Sequence, residues 1–172
     1  AIWQHFKTVE IAFSIDDLGA RFEYQRSNAQ WTEVVENINK FKQIRSRNNN
    51  ITLQSCCTIN IFNVYYLDVV ANWIMGQEFD FNYWNMMHDA WYFSIATLPE
   101  AAKQGIERWL RMADVPPQYR DEFDRIIDFM NRGASTDGMM TRMKIADLDR
   151  KRGQDLWLVE PELAKLIDYV KN

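Results

Sequence analysis

The strongest constraint on the fold of this chain is a strict two-residue alternation in two separate segments. In residues 8–15 (TVEIAFSI) every odd position is apolar, and every even position is polar or small. In residues 51–61 (ITLQSCCTINI) the odd positions are again mostly apolar, and the even positions read Thr, Gln, Cys, Thr, Asn. A period of two is the period of a β-strand. The sequence therefore predicts two strands, each with one apolar face and one polar face.

Segments with helical spacing separate the predicted strands. Residues 31–44 place apolar side chains at helical intervals, and Ser27 or Asn28 together with Gln30 forms a candidate N-terminal capping box. Residues 62–76 (FNVYYLDVVANWIMG) predict a second helix that ends at Gly76. Residues 79–88 (FDFNYWNMMH) have high strand propensity and predict a third strand. The alternating order of strands and helices predicts a parallel sheet.

The polar strand faces predict the fold class. Parallel strands that are covered by helices on both faces are usually apolar on both sides. Here the second face is polar in two consecutive strands, so we expect an α/β fold in which helices cover the outside only. The prediction is a partial (half) βα barrel over residues 1–98, with three parallel strands flanked by helices and a polar, ligand-sized lumen. Residues 99–172 are predicted to form a helical C-terminal extension, because prolines at 99, 116 and 117 divide it into amphipathic segments.

One helix of this extension has an unusual pattern. In residues 137–153 the apolar positions form only a narrow seam, made of Met140, Met143, Ile145 and Leu148. We expect that helix to pack along this seam, with its Asp and Arg side chains facing water.

Composition narrows the classes of partner and location. The chain is 47% hydrophobic and carries a net charge of −4 with dispersed basic residues, so an extended phosphate-binding face and a nucleic-acid partner are not expected. No apolar run approaches the roughly 20 residues of a membrane-spanning helix, and no secretory signal opens the sequence. We therefore expect a cytoplasmic protein without a membrane partner. The only two cysteines, Cys56 and Cys57, are adjacent and give no metal-binding pattern.

Polar residues follow the first predicted strand at its carboxyl end, where α/β proteins bind ligands. Ser14, Asp16 and Asp17 fall there, and Arg26 returns after a turn of suitable length. Two interpretations are open. The guanidinium of Arg26 could bind a ligand carboxylate through two parallel hydrogen bonds. Alternatively, Asp16 and Arg26 could form an ion pair that only stabilises the loop.

These residues carry a resemblance to a known family. The segment VEIAFSIDDLGARFEYQR resembles the SIDG…EYIR segment of radical S-adenosylmethionine proteins of the twitch-domain-containing type, where it forms the fourth strand of a partial (βα)6 barrel. Residues 51–74 are similar to the fifth strand and its helix, and residues 81–99 to the sixth strand and the segment ending in Leu-Pro. Residues 146–167 are similar to the LD…RG…FPEL ending of that family.

The resemblance implies half of an enzyme. Family members hold a 4Fe-4S cluster on a Cys-x3-Cys-x2-Cys loop after their first strand and cleave S-adenosylmethionine to a radical. This chain contains no such loop and no cysteines in its last third for an auxiliary cluster. We therefore expect S-adenosylmethionine and the cluster to belong to the full-length family member, and neither to be bound by this chain alone.

The resemblance also implies site residues. Ser14 matches a serine that contacts the cofactor, Arg26 matches the arginine of the motif, and Asp16 matches its aspartate. Asp17 replaces the usual glycine, which puts the backbone of the turn in question because glycine permits a positive φ. Asn60 lies on the polar face of the second strand and is a candidate ligand contact, with a turn-capping amide as the alternative.

Weaker candidates lie elsewhere on the strands. The thiol of Cys56 is expected to face the lumen as a small packing residue rather than a ligand. Trp84, Met86 and His88 are expected to share the lumen face of the third strand, either lining it or packing.

Two functions are compatible with these features. The first is a fragment of a radical S-adenosylmethionine enzyme that contributes part of the cofactor pocket and of the substrate-side wall. Its expected partner is the missing N-terminal half-barrel, or a second copy through the exposed edge of the first strand. The second is a stand-alone, non-catalytic binding or scaffold module for a peptide or small molecule.

Overall fold

The structure, a computed structural model, describes residues 2–170 and is built on a three-stranded parallel sheet. The strands β1 (Val9–Ser14), β2 (Ile51–Ile59) and β3 (Phe81–Met86) lie in the order β1-β2-β3. Both neighbouring pairs are parallel, with Val9 beside Ile51 and Gln54 beside Phe81. The predicted α/β fold with parallel strands and flanking helices is confirmed.

Two helices rather than one connect β1 to β2. The segment after β1, predicted as a turn, forms helix α1 (Gly19–Gln25), and α2 (Trp31–Arg45) follows. The predicted capping box is wrong: Gln30 is the N-cap of α2 and makes no side-chain cap bond. The carboxylate of Glu23 instead accepts the backbone N–H of Trp31 at 2.8 Å, so α1 supplies the cap of α2.

Helix α3 (Leu67–Met75) connects β2 to β3 and ends at Gly76, as predicted. Asn63 precedes this segment, but its side chain does not cap the helix. Its amide donates to the carbonyl oxygens of Asp16 and Thr58 at 2.8 and 2.9 Å, and therefore ties the ends of β1 and β2 together.

The register assigns every strand residue to a face. The alternation predicted for β1 and β2 is confirmed, since their odd-numbered residues are the more buried ones and face the helices. The prediction for β3 is wrong, because Trp84 pairs with Cys57 and Met86 with Ile59, which places both on the helix side. His88 lies beyond the end of β3, where its ring packs against Phe129.

Within residues 2–170, no helix layer covers the opposite face of the sheet. We call it the open face; it consists of Glu10, Ala12, Ser14, Thr52, Gln54, Cys56, Thr58, Phe81, Tyr83 and Asn85. The outer members on β1 and β3 are exposed, and Phe81 and Tyr83 remain about half accessible to solvent. The predicted polar second face is therefore present, with two aromatic rings on β3 added to it.

The last third of the described chain is helical, as predicted. It contains α4 (Glu100–Met112), α5 (Arg120–Arg132), α6 (Met139–Arg152), α7 (Leu156–Val159) and α8 (Pro161–Leu166). Gly153 ends α6 in the left-handed conformation that glycine adopts without strain. No helix within residues 2–170 is long and apolar enough to cross a membrane.

A single buried cluster joins the sheet to the helical region. It includes Cys57 and Ile59 of β2, Ile106 of α4 and Phe123 of α5. The expectation that every Asp of α6 faces water is wrong at one position: Asp149 is 4% exposed. Its carboxylate accepts hydrogen bonds from Tyr24 and Tyr169, so α6 is fastened both to α1 and to the C-terminal segment.

Candidate functional site

The four polar residues predicted from the sequence, Ser14, Asp16, Arg26 and Asn60, lie at or just beyond the ends of β1 and β2, and we call them, together with Thr58, the strand-end site. Asp16 is its organising residue. One of its carboxylate oxygens, Oδ1, accepts the backbone N–H of Thr58 at 2.8 Å. Oδ2 accepts Nη2 and Nε of Arg26 at 2.6 and 3.1 Å. Asp16 therefore bridges the end of β2 and the residue that follows α1.

Arg26 makes the ion pair that was one of the two interpretations of the sequence. Its guanidinium uses Nε and Nη2 for Asp16 and lies over the ring of Phe22, 5.8 Å from the ring centroid. Its side chain is 38% exposed, and Nη1 makes no hydrogen bond within residues 2–170. The edge of the guanidinium formed by Nε and Nη2 is thus occupied by Asp16, while the edge that carries Nη1 remains available to a ligand.

Asn60 acts as a turn-capping amide. It is 4% exposed and lies directly after β2. Its Nδ2 donates to Oε1 of Gln25 and to the carbonyl of Thr58, both at 3.1 Å, and its Oδ1 accepts the N–H of Phe62 at 2.8 Å. Because both ends of the amide are bonded, Asn60 positions α1 against β2.

Ser14 differs from the other three predicted site residues. It is exposed at the end of β1 on the open face, beside Cys56 of β2. Its hydroxyl makes no hydrogen bond within the described part of the chain. Ser14 therefore offers both a donor and an acceptor to a ligand on that face.

Asp17, the residue after Asp16, bonds to a separate set of partners, Arg21 and Leu18. It does not adopt a positive φ, and the next positive φ in the turn is carried by Gly19, at 57°. The departure from the family's glycine therefore causes no backbone strain at this position. Asp17 is fully buried, and its carboxylate accepts Nε of Arg21 at 2.9 and 3.0 Å and the N–H of Leu18 at 2.7 Å. Burial raises the pKa of Asp17 to about 7, although Arg21 and the N–H of Leu18 act to lower it.

A small cavity opens beside the strand-end site. Its volume is about 200 Å³, and it is lined by Asp16, Tyr24, Gln25, Asn60, Phe62, Met87, Phe93, Leu148 and Arg152. Pockets for drug-sized ligands are roughly 300–1,000 Å³. This cavity therefore fits a small group, such as one end of a larger ligand whose remainder would lie over the open face.

Several of these lining residues were not predicted. Tyr24 and Gln25 enter the site because residues 19–25 form a helix, which the sequence pattern did not indicate. Leu148 and Arg152 come from α6, more than one hundred residues along the chain from Asp16, Tyr24 and Gln25 and about ninety from Asn60. No local signal in the sequence connects them to the strand ends.

The residues present do not form a metal centre. No group of three or more His, Cys, Asp or Glu side chains within residues 2–170 is placed to hold an ion. The thiol of Cys57 is fully buried against the carbonyl of Asp16, and burial raises its pKa well above the ordinary value, which keeps it protonated. A buried thiol with a raised pKa is a poor metal ligand, so Cys57 is not suited to hold a 4Fe-4S cluster.

A second, larger groove lies away from the strand ends. It has a volume of about 1130 Å³ and runs between α6 and the C-terminal segment, with Met143 and Leu158 among its lining residues. It includes none of the four predicted site residues.

Searches of protein-family models, of curated proteins and of solved structures find no match to this chain.

Proposed function

We propose that this chain forms the C-terminal half of a partial βα barrel of the radical S-adenosylmethionine type. In this proposal it contributes part of the cofactor pocket and of the substrate-side wall, and it is not catalytically competent by itself. The iron-sulfur cluster, and the residues that hold it, belong to the N-terminal half-barrel. No radical step is assigned to any residue of this chain.

One observation carries the proposal, namely a parallel sheet with helices on one face only. Parallel sheets are usually covered on both faces, because crossover helices pack against each side. The open face of this sheet instead exposes hydroxyl, amide and aromatic groups such as Ser14, Asn85 and Tyr83. The inner wall of a barrel has this character, since it faces a lumen that holds a ligand.

The free edge of β1 supports the same interpretation. The N–H groups of Val9 and Ile15 donate to carbonyl oxygens of the β2 side at 2.8 Å. Alternate residues of a parallel strand bond to the same neighbour, so the backbone groups of Glu10, Ala12 and Ser14 point away from β2. A further parallel strand of an N-terminal half-barrel would pair with these groups.

The strand-end site supports a role in holding part of the cofactor. Its place at the carboxyl ends of parallel strands is where ligands of α/β proteins bind. Ser14 has an unpaired hydroxyl on the open face, and Arg26 keeps one edge of its guanidinium accessible. Asp16 and Asn60 are bonded internally and would position these two groups rather than contact the ligand.

A calorimetric titration of this chain with S-adenosylmethionine tests the cofactor role. We expect a dissociation constant of about 1 mM or weaker, because two partly free side chains offset little of the entropy of association. Addition of the N-terminal half-barrel should tighten binding at least tenfold. Ser14→Ala should remove most of that gain, and Thr32→Ala, an exposed position on α2, is the matched control.

The coding sequence directly upstream of residue 1 gives a second test. We expect an in-frame Cys-x3-Cys-x2-Cys motif within about one hundred residues, the length of roughly three βα units. An upstream region without this motif would contradict the proposal, and so would tight cofactor binding by this chain alone.

The alternative function is a non-catalytic module that binds a peptide or small molecule. The observation that favours it is that Asp16 is already paired with Arg26, and Asn60 with Gln25 and Phe62, so that the small cavity lined by Asp16 and Asn60 forms without a second half. Titration with free amino acids and short peptides, followed by NMR, distinguishes the two functions. The module predicts shifts of the Gln25 and Asn60 side-chain amides without S-adenosylmethionine.

A further inference from the structure

Glu160 is a buried carboxyl group without a hydrogen-bond partner. It is 0% exposed and stands immediately before α8, between α7 and Pro161. Its backbone is fully bonded, since its N–H donates to Leu156 at 2.7 Å and its carbonyl accepts the N–H of Ala164 at 3.0 Å. Both side-chain oxygens are buried and unpaired within residues 2–170. An ionised carboxylate in such a place would be strongly destabilising.

The groups around Glu160 do not supply a free cation. Asp17, from the turn after β1, and Arg21 of α1 are the charged groups that act on it. Arg21 is already bonded to Asp17 through Nε, and its guanidinium lies 4.1 Å from the ring centroid of Tyr66. Arg21 is therefore engaged by Asp17 and makes no ion pair with Glu160 within residues 2–170.

The remaining titratable groups near Glu160 do not change this balance. Tyr24 of α1 and Tyr66, which precedes α3, both have their pKa raised, first by burial and in part by Glu160 itself. Glu162 of α8 is partly exposed and paired with Lys165 at 2.9 Å. None of these groups is a cation that could neutralise Glu160.

Glu160 lies at a junction between segments distant in sequence. Helix α7 packs against α1, and α8 packs against α4. We call the place where the buried, unpaired carboxyl group of Glu160 lies, between α7 and α8 and within electrostatic range of Asp17 and Arg21, the Glu160 junction. Because α1 also carries Tyr24 and Gln25, which line the small cavity, the junction is connected to the strand-end site through one short helix.

We propose that the Glu160 junction is a pH-sensitive latch, in which α7 stays packed on α1 while the carboxyl group is neutral, and its ionisation releases α7 together with α8. This inference is independent of the proposed function, since it uses neither the cofactor nor the missing half-barrel. It depends on the burial of Glu160, the absence of a partner for its oxygens among the described residues, and the prior use of Arg21 by Asp17.

The direction of the pH effect follows from the two carboxyl groups. Burial raises the pKa of Glu160 well above its ordinary value and that of Asp17 to about 7. The closed junction therefore binds more protons than the open one between the ordinary pKa, near 4, and the raised pKa. The closed form is favoured at acid pH and is lost as the pH rises. Each such group changes the opening equilibrium up to tenfold per pH unit in that range.

Hydrogen exchange tests the latch on the intact chain. The amides of Ala164, Ile167 and Tyr169 are bonded within the C-terminal segment and report its opening. After correction for the intrinsic pH dependence of exchange, we expect their protection to fall at least tenfold between pH 6 and pH 8. Glu160→Gln, which is neutral at every pH and of similar size, should remove the part of this fall that Glu160 contributes and leave the part that depends on Asp17. Glu162→Gln is the matched control and should retain it.

A Glu160→Gln protein with the same pH-dependent loss of protection as the unsubstituted chain would overturn the proposal. If the substituted protein does not fold, the unsubstituted chain still decides, by comparison of α8 with the amides of Ile127 and Met130 in α5. Equal pH dependence in α8 and α5 would mean that no separate latch exists. Strand β1 and the cofactor titration are unaffected by this result, so failure of the latch and failure of the proposed function are distinguishable.

Discussion

Substitution of Asp149 by alanine should be among the most damaging single changes in this chain. Three donors meet its carboxylate: the hydroxyl of Tyr24 at 2.8 Å, that of Tyr169 at 3.0 Å and the N–H of Leu156 at 3.1 Å. They come from α1, from the end of the described chain and from α7. Removal of the acceptor leaves two tyrosine hydroxyls, on residues 2% exposed, and one backbone amide without this partner.

The expected magnitude follows from these three bonds. A hydrogen bond to a charged group contributes about 1.5–3 kcal/mol. Because the three donors share one carboxylate, their contributions do not add fully. We expect the free energy of unfolding to fall by about 3–5 kcal/mol, a large part of the roughly 5–15 kcal/mol that stabilises a typical domain.

Urea unfolding followed by circular dichroism measures this loss. If the unfolding free energy falls by about 2 kcal/mol per M of urea, the urea midpoint should move by about 1.5–2.5 M. Asp147→Ala is the matched control, because Asp147 lies on the same helix but pairs only with the exposed side chains of Arg150 and Lys151. This control should move the midpoint far less, because both partners of Asp147 are exposed side chains. A loss below about 1 kcal/mol for Asp149→Ala would refute the reasoning that this carboxylate joins three segments.

Three further predictions test packing, titration and the open face. Gly133→Ala should lower stability by about 1–3 kcal/mol in thermal unfolding, because the new Cβ would collide with the backbone of Ala96. Gly76→Ala should be nearly neutral, because a Cβ there would lie 3.4 Å from its nearest neighbour, the carbonyl oxygen of Trp73. Asp17→Asn should flatten the pH profile of the unfolding free energy. The raised pKa of Asp17 stabilises the fold fully below about pH 4, by up to about 4 kcal/mol, and this stabilisation is lost as the pH rises through 7. A profile that is unchanged between pH 5 and 8 would contradict this. Ser14→Ala should change stability by less than about 0.5 kcal/mol, since its exposed hydroxyl makes no hydrogen bond within residues 2–170, and a larger loss would show that Ser14 is a structural residue.

The sheet was largely predictable because its signal is local. Alternation in β1 and β2 needs only the sequence of each strand, and it identified both faces correctly. The prediction for the third strand was wrong because residues 81–86 (FNYWNM) carry large side chains at both odd and even positions. Its facing is set by pairing with β2, which puts Trp84 beside Cys57, and no pattern within the strand contains that information.

Helix α1 was missed for a related physical reason. Its buried residues, Phe22 and Tyr24, are two apart, a spacing that does not indicate a helical stripe. Their burial comes from tertiary contacts, with Trp31 packing on Phe22 and Asp149 bonding to Tyr24. The cap of α2 was also misplaced, because the acceptor is Glu23 from the preceding helix rather than a residue of the local capping pattern.

The strand-end site was predictable in position but not in bonding. The parity of β1 and the distance to Arg26 were sufficient to place Asp16 and Arg26 together. The guanidinium of Arg26 faces Asp16 rather than a ligand because the N–H of Thr58 holds the carboxylate of Asp16 at the end of β2. The cavity itself needs α6, whose side chains reach it only through the tertiary fold.

The outward backbone groups of β1 have a practical meaning for protein engineering. A strand added beside β1 can widen the sheet without disturbing β2, because Glu10, Ala12 and Ser14 already direct their backbone amides and carbonyls outward. The bonds of Asp16 lie past the tip of the strand and are therefore outside the region to be joined. Grafted βα units from unrelated barrels would show whether the edge of β1 accepts an added parallel strand.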